Sequence, residues 1–170
     1  MSSSFSSFPE RNLPATAEIK FLAAIFKGEV SILPDKEFYT FVENLTASQP
    51  QMKAETVHRF GPGVYLREMS VKAGAFIVGL HHRGPHLNAI LKGRMRVLQS
   101  DGRLADLAAP AIFTAPPGKK IGLALEDTVW LNIYATTETD IEKIEREIVV
   151  EEETTEAALR TSSLAKYQRL

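Results

Sequence analysis

Between about residues 53 and 136 the chain is a succession of short β-rich runs, each closed by turn chemistry, and this cadence limits the fold more than any other feature. The runs are Glu55–Phe60, Val64–Val71, Ala75–Leu80, Leu87–Leu91, Arg94–Gln99, Ala111–Ala115, Lys120–Ala124 and Val129–Ala135. Gly61-Pro62-Gly63, Ala73-Gly74, Arg83-Gly84-Pro85, Ser100-Asp101-Gly102 and Pro116-Pro117-Gly118 separate them. Short strands at this spacing predict a sandwich or barrel, and eight of them suit a jelly roll. Asp101-Gly102 is the strongest hairpin signal, because a tight primed turn needs a positive φ that glycine adopts without a steric cost.

The flanks read differently. Residues 1–50 begin as a Ser-rich arm carrying Phe5 and Phe8 and then turn helical. Pro14 suits a first helical turn, Ile19, Leu22, Ala23 and Phe26 recur at helical spacing, and Gly28 follows where a helix ends. Asp35 can cap a second short helix whose apolar face is Phe38, Phe41, Val42 and Leu45, with Ser48 and Pro50 as its stop. After Glu138, Ile141, Ile144, Ile148 and Val149 stand in a charged run, predicting an amphipathic helix that can fray into a strand at IVVEEE. A last short helix is expected beyond Thr154-Thr155, through Ala157, Ala158, Leu159 and Leu164. The expected organisation is an N-terminal arm and short helices (1–50), a β-barrel (51–136) and an acidic C-terminal extension (137–170).

Several function classes lose ground on composition. Without cysteine there is no disulfide framework, thiolate ligand or thiol nucleophile. The longest apolar run, FLAAIF, is far below the roughly 18 residues of a membrane span, and the N-terminus lacks the basic and apolar regions of a secretory signal. A net charge of −1 argues against general nucleic-acid binding, but Glu138 to Glu156 holds nine acidic and two basic residues. Lys92, Arg94, Arg96, Arg103, Lys119 and Lys120 outnumber Asp101 and Asp106 across the β-rich core. An acidic arm of one subunit could therefore lie on a basic face of another; the alternative is a solvated acidic helix.

The β-rich segment resembles the cupin superfamily. That family's first motif has a His-x-His pair, a Glu a few residues on, and a glycine seven residues after that Glu. Leu91-Lys92-Gly93 matches its turn, and counting back seven positions from Gly93 reaches His86 at the carboxylate position. The paired histidine positions fall on Gly79 and His81, or on Leu80 and His82 if the loop is one residue shorter. Pro116-Pro117-Gly118 matches the second motif, Pro-x-Gly-x-x-His, with Ile121 at its histidine. Ala111–Ala135, including ALEDTVWLNIYAT, is also similar to small single-domain cupin-like proteins of tailed bacteriophages. The resemblance implies a cupin-type jelly-roll barrel whose ligand set is at most half present.

A catalytic divalent metal in such a site wants about three protein ligands and an open position. His81 or His82 with His86 gives two, and Glu68, Asn88 or Tyr134 could supply a third. Neighbouring strand residues face opposite ways, so His81 and His82 cannot both enter a regular barrel. The alternative leaves His82 and His86 partly exposed in a loop and His81 hydrogen-bonded in the core, and a third possibility is a proton-sensitive contact between imidazoles and the acidic arm. Arg94 and Arg96 alternate with Met95 and Val97, a basic face that could hold phosphate or carboxylate or simply be solvated. Trp130 reads as core. No Gly-x-Ser-x-Gly elbow, zinc helix or phosphate loop is present.

The expected function is therefore a non-catalytic, cofactor-free structural or assembly protein, a homo-oligomer in a tailed-phage particle, with itself and other virion proteins as partners and the virion or host cytoplasm as its place. Its subunit contacts are expected at Phe5, Phe8, Phe21, Phe26, Ile141 and Ile144. The competing expectations are a metal-dependent isomerase or oxygenase using His81 or His82 and His86, and a ligand-binding cupin directed against host defence.

Overall fold

Four consecutive buried residues, Ala75–Val78, explain how this chain is layered. A strand sends alternate side chains to opposite faces, so one buried on both must lie between two apolar bodies. The computed structural model describes residues 17–150 and the backbone of residues 5–7. Among them are three helices and ten strands: β1 (Phe5–Ser7), α1 (Ala17–Phe26), α2 (Lys36–Ala47), β2 (Glu55–Gly61), β3 (Val64–Val71), β4 (Ala75–Val78), β5 (His86–Lys92), β6 (Arg94–Leu98), β7 (Leu104–Ala108), β8 (Ala111–Ala115), β9 (Ile121–Ala124), β10 (Thr128–Ala135) and α3 (Ile141–Ile148).

The strands form two antiparallel five-stranded sheets, ordered β1-β4-β9-β6-β7 and β2-β3-β10-β5-β8. The fold is thus mainly β, a two-sheet jelly-roll barrel with short helices. One core lies on the outside of the first sheet, where Leu22, Ile25 and Phe26 of α1 and Phe38, Phe41 and Val42 of α2 pack on Phe76, Val78, Leu98 and Ile121. A second lies between the sheets, around Ile77, Ile90, Met95, Val97 and Trp130. A third, Tyr65, Tyr134 and Ile144 with Ile148 against them, seats α3.

The local signals account for the elements. Asp35 caps α2, its Oδ1 accepting from Phe38 N at 2.8 Å, which satisfies one of the N–H groups a helix start leaves unpaired. Gly28 follows α1 with φ +77°. Gly93 joins β5 to β6 at φ +80°, and a Cβ there would lie 2.2 Å from Asp127 O, so the turn admits no side chain. Gly102 N donates to Gln99 O at 3.0 Å, closing the hairpin expected at Asp101-Gly102.

Several expectations need correction. Phe26 is 2% exposed and its ring meets Phe76 edge-on at 5.0 Å, while Ile144 of α3 is fully buried against Tyr65 and Tyr134. Both belong to this protomer's own core and are not subunit contacts. Phe21 packs against Phe41 at 6.2 Å, and Ile141 is partly buried. Phe5 lies on β1, its backbone opposite Ile77. Phe8, the Ser-rich arm around it and the helix expected beyond Thr155 lie outside the described residues. The strand tendency at IVVEEE survives as one bridge, Val149 opposite His82. No helix among the described residues is long and apolar enough to cross a membrane.

Candidate functional site

Side chains of the second sheet that face the barrel interior stand in three rungs fixed by strand register. The upper runs Phe60, Tyr65 and Tyr134, with His86 stacked on Tyr134 at 5.1 Å. The middle runs His58, Arg67, Asn132, Asn88 and Phe113, and the lower runs Thr56, Met69, Trp130, Ile90 and Ala111. Down the wall the chemistry passes from aromatic and imidazole, through amide and guanidinium, to hydrocarbon. The facing sheet offers Ile77, Met95, Val97 and Gly122, all apolar. A Cβ on Gly122 would sit 2.8 Å from Met95 Sδ, so glycine keeps that wall open.

Between the walls is a cavity of about 100 Å³, completed by Leu80 and His82 from the loop after β4 and by Lys120 just before β9. Asn88 is almost wholly buried, and its Oδ1 accepts from Trp130 Nε1 at 3.1 Å and Asn132 Nδ2 at 2.6 Å. That amide is fixed as an acceptor for its neighbours. The His82 and His86 rings lie 4.2 Å apart at 39°, and His82 Nδ1 is 3.3 Å from the Tyr134 hydroxyl. Beside them His58 Nδ1 is 2.7 Å from the Tyr65 hydroxyl, so the ring stack runs from the edge strand to the cavity.

Burial sets the protonation of these groups. It holds His82 down at about 3, with the charges of His86, Lys120, Arg67 and His81 acting in the same direction. Burial also lowers His86 and Lys120 and raises the Tyr134 hydroxyl. Near neutral pH His82 is therefore an uncharged imidazole, one N–H donor and one acceptor.

The second half of the site is a clasp. Arg83 N donates to Ile148 O and Val150 N to His81 O, each at 2.9 Å, and Arg83 Nε reaches Val149 O at 2.8 Å. The end of α3 is thereby stitched to the loop that carries His82, with Ile144 anchoring the helix on Tyr65 and Tyr134.

A divalent ion does not fit this donor set. His82 and His86 supply only two imidazoles, their ring centroids 4.2 Å apart and their planes tilted by 39°. The Asn88 oxygen is already taken by two donors, no carboxylate of the described residues lines the cavity, and Arg67 and Lys120 add two cations to its wall. No three His, Asp or Glu side chains group for an ion among the described residues. At the motif positions, an imidazole (His86) replaces the acid, and the lysine before Ile121 enters the cavity while Ile121 turns into the helix-covered core.

Of the sequence-predicted residues, His82 and His86 come together and line the cavity; His81 does not. Of the alternative with His82 and His86 partly exposed and His81 in the core, the partial exposure of His82 is what the structure shows, whereas His86 is only 8% exposed and His81 is itself partly exposed. Glu68 cannot serve as a ligand, because it points outward and pairs with Arg59. Tyr134 reaches His82 as described. Trp130 is core and also cavity wall. Arg96 donates to both carboxylate oxygens of Asp106, at 2.5 and 2.7 Å, and to Phe26 O at 2.9 Å. Arg94 lies 3.7 Å from Glu126, so the basic face is internally paired. Sequence reading missed Arg67 and Lys120. The available signal for Arg67 was its place in the alternating set Tyr65, Arg67, Met69, Val71.

Neither a protein-family model nor a curated protein matches the chain. Solved structures similar to it include KdgF from Halomonas sp., 20% identical, covering 54% of this chain and 83% of that one at a TM-score of 0.41. A cupin superfamily protein from Desulfitobacterium hafniense DCB-2 is 14% identical, covering 61% and 94% at 0.43. Ectoine synthase from P. lautus is 11% identical, covering 62% and 83% at 0.46.

Proposed function

We propose that this chain is a non-catalytic cupin-fold protein whose barrel holds a small molecule in a metal-independent cavity, and that it acts as a homo-oligomeric component of a tailed-phage particle or of its assembly. The observation that carries the binding reading is the cavity's donor set: two imidazoles, an amide already engaged, two cations and, among the described residues, no carboxylate. Such a set neither assembles around a divalent ion nor presents an activated nucleophile.

Self-association is supported by the outside of the second sheet. Leu87, Leu91 and Ile112 are 46%, 59% and 77% exposed there, an apolar surface of the kind that marks contacts between proteins. The resemblance of Ala111–Ala135 to small phage cupin-like proteins supports the place in a particle.

The test is elemental analysis and solution mass on protein made in metal-replete medium. Metal well below one ion per protomer and a mass that is a multiple of 18.8 kDa are expected. Stoichiometric metal lost in His86→Ala would overturn the binding reading, and a monomeric mass would overturn the assembly reading.

A further inference from the structure

Polar capacity left unused in the cavity wall indicates what it is built to hold. Arg67 stands on the middle rung with its Nε buried and without a hydrogen-bond partner, alone in this respect among the side-chain atoms of the described residues. A charged group with a buried donor that meets no acceptor is costly, and none of the described residues lining the cavity offers Arg67 an anionic one, so the site favours an anion from outside. Lys120 spends one of its three N–H donors on Pro116 O at 2.7 Å. Among the described residues no Asp or Glu lines the cavity beside these cations, and the other polar wall groups, His82, His86, Asn88 and Asn132, carry no negative charge. The remaining wall is hydrocarbon and thioether: Met69, Ile77, Met95 and Val97, with the Trp130 ring.

Size narrows the class further. About 100 Å³, where roughly 10–15 Å³ in the same measure holds one water, leaves room for a small organic molecule. A free inorganic anion would leave the apolar wall unused, and a neutral hydrocarbon would leave Arg67 unanswered. We infer that the cavity takes a short-chain aliphatic monocarboxylate, its carboxylate anchored by Arg67 and Lys120 and its chain lying against the Met95 and Trp130 wall. Arg67 suits the role because a guanidinium fork matches a carboxylate bidentately. This inference rests on the metal-independent reading above, and it adds the ligand's charge and shape.

Isothermal titration of the full chain, stripped with chelator and verified metal-free, tests it with butyrate, butyramide, acetate and inorganic phosphate. Butyrate should bind saturably and at least about tenfold more tightly than butyramide, which lacks the charge-assisted hydrogen bonds, and than acetate or phosphate, which lack about two buried methylenes at ~0.8 kcal/mol each. Arg67→Met should weaken butyrate by about tenfold or more, while Arg59→Gln on the outer face leaves it unchanged. If Arg67→Met melts early, Lys120→Gln carries the same expectation on a second cation. Equal affinity for butyrate and butyramide, tighter binding of phosphate, or no butyrate binding by folded, metal-free protein would overturn the inference and leave the metal-independent reading standing. Stoichiometric metal in the starting protein would instead sink that reading first.

Discussion

The two sheets of the barrel carry inner faces of opposite character, and what lies behind each sheet explains the difference. The sheet containing β4, β9 and β6 has α1 and α2 on its back, so β4 and β9 are buried on both faces and read as apolar runs, AFIV and IGLA. It offers the cavity only hydrocarbon, sulfur and a glycine. The other sheet has an open back and the reverse of the usual alternation: His86 and Asn88 point inward while Leu87 and Leu91 are exposed. Its polar groups are inside because the cavity needs them there. A strand that turns imidazole and amide inward and leucine outward therefore lines a polar chamber and leaves apolar side chains on the surface.

The largest test of this contrast is Trp130→Ala. The ring packs edge-on to Phe113 at 5.6 Å and belongs to both the polar sheet and the shared core. Its removal should cost about 3–5 kcal/mol in chemical denaturation; a loss below roughly 1 kcal/mol would mean that the lower rung is not core. Asn88→Ala comes next. It strips the acceptor from Trp130 Nε1 and Asn132 Nδ2 and should cost about 1–3 kcal/mol, with a blue-shifted or broadened Trp emission as an independent sign that the indole has lost its partner.

Protonation separates the walls in a third way. His82 sits at about 3 when folded against 6.5 when free, so the unfolded chain binds the proton more readily. Stability from this group is full above about 6.5 and drains away as pH falls toward 3, because the folded cavity resists the charge. Thermal midpoints measured down that range should fall, and His82→Asn should flatten the slope. An unchanged slope in the variant would assign the acid sensitivity to other groups. The smallest effect belongs to the outer face, where Glu68→Gln breaks only the exposed pair with Arg59 and should stay within about 1 kcal/mol in the same melts.

The barrel was legible because turn residues punctuate it: Val64–Val71 and Ala111–Ala115 match their strands residue for residue. β7 was not read as a strand, since LADLA has two alanines and an acid where β-branched residues would signal one; its burial is slight and its partner, β6, holds it. The Asp101-Gly102 turn nevertheless implied a second arm to the hairpin. In the site, motif spacing located His82 and His86, but Arg67 was hidden because both faces of β3 mix apolar and polar residues, so alternation could not say which face was inside. Lys120 was masked by its neighbour Ile121, which holds the motif position yet turns away from the cavity. Phe26 and Ile144 were misplaced for a different reason. An amphipathic helix declares that it needs an apolar partner, and only three-dimensional packing shows that the partner is the same chain.

The stitching of α3 to the His81–Arg83 segment ties one wall of the cavity to the last turn of a helix. Opening the bonds at Ile148, Val149 and Val150 would release the segment that carries His82, so the order of that wall and the fraying of the helix end rise and fall together.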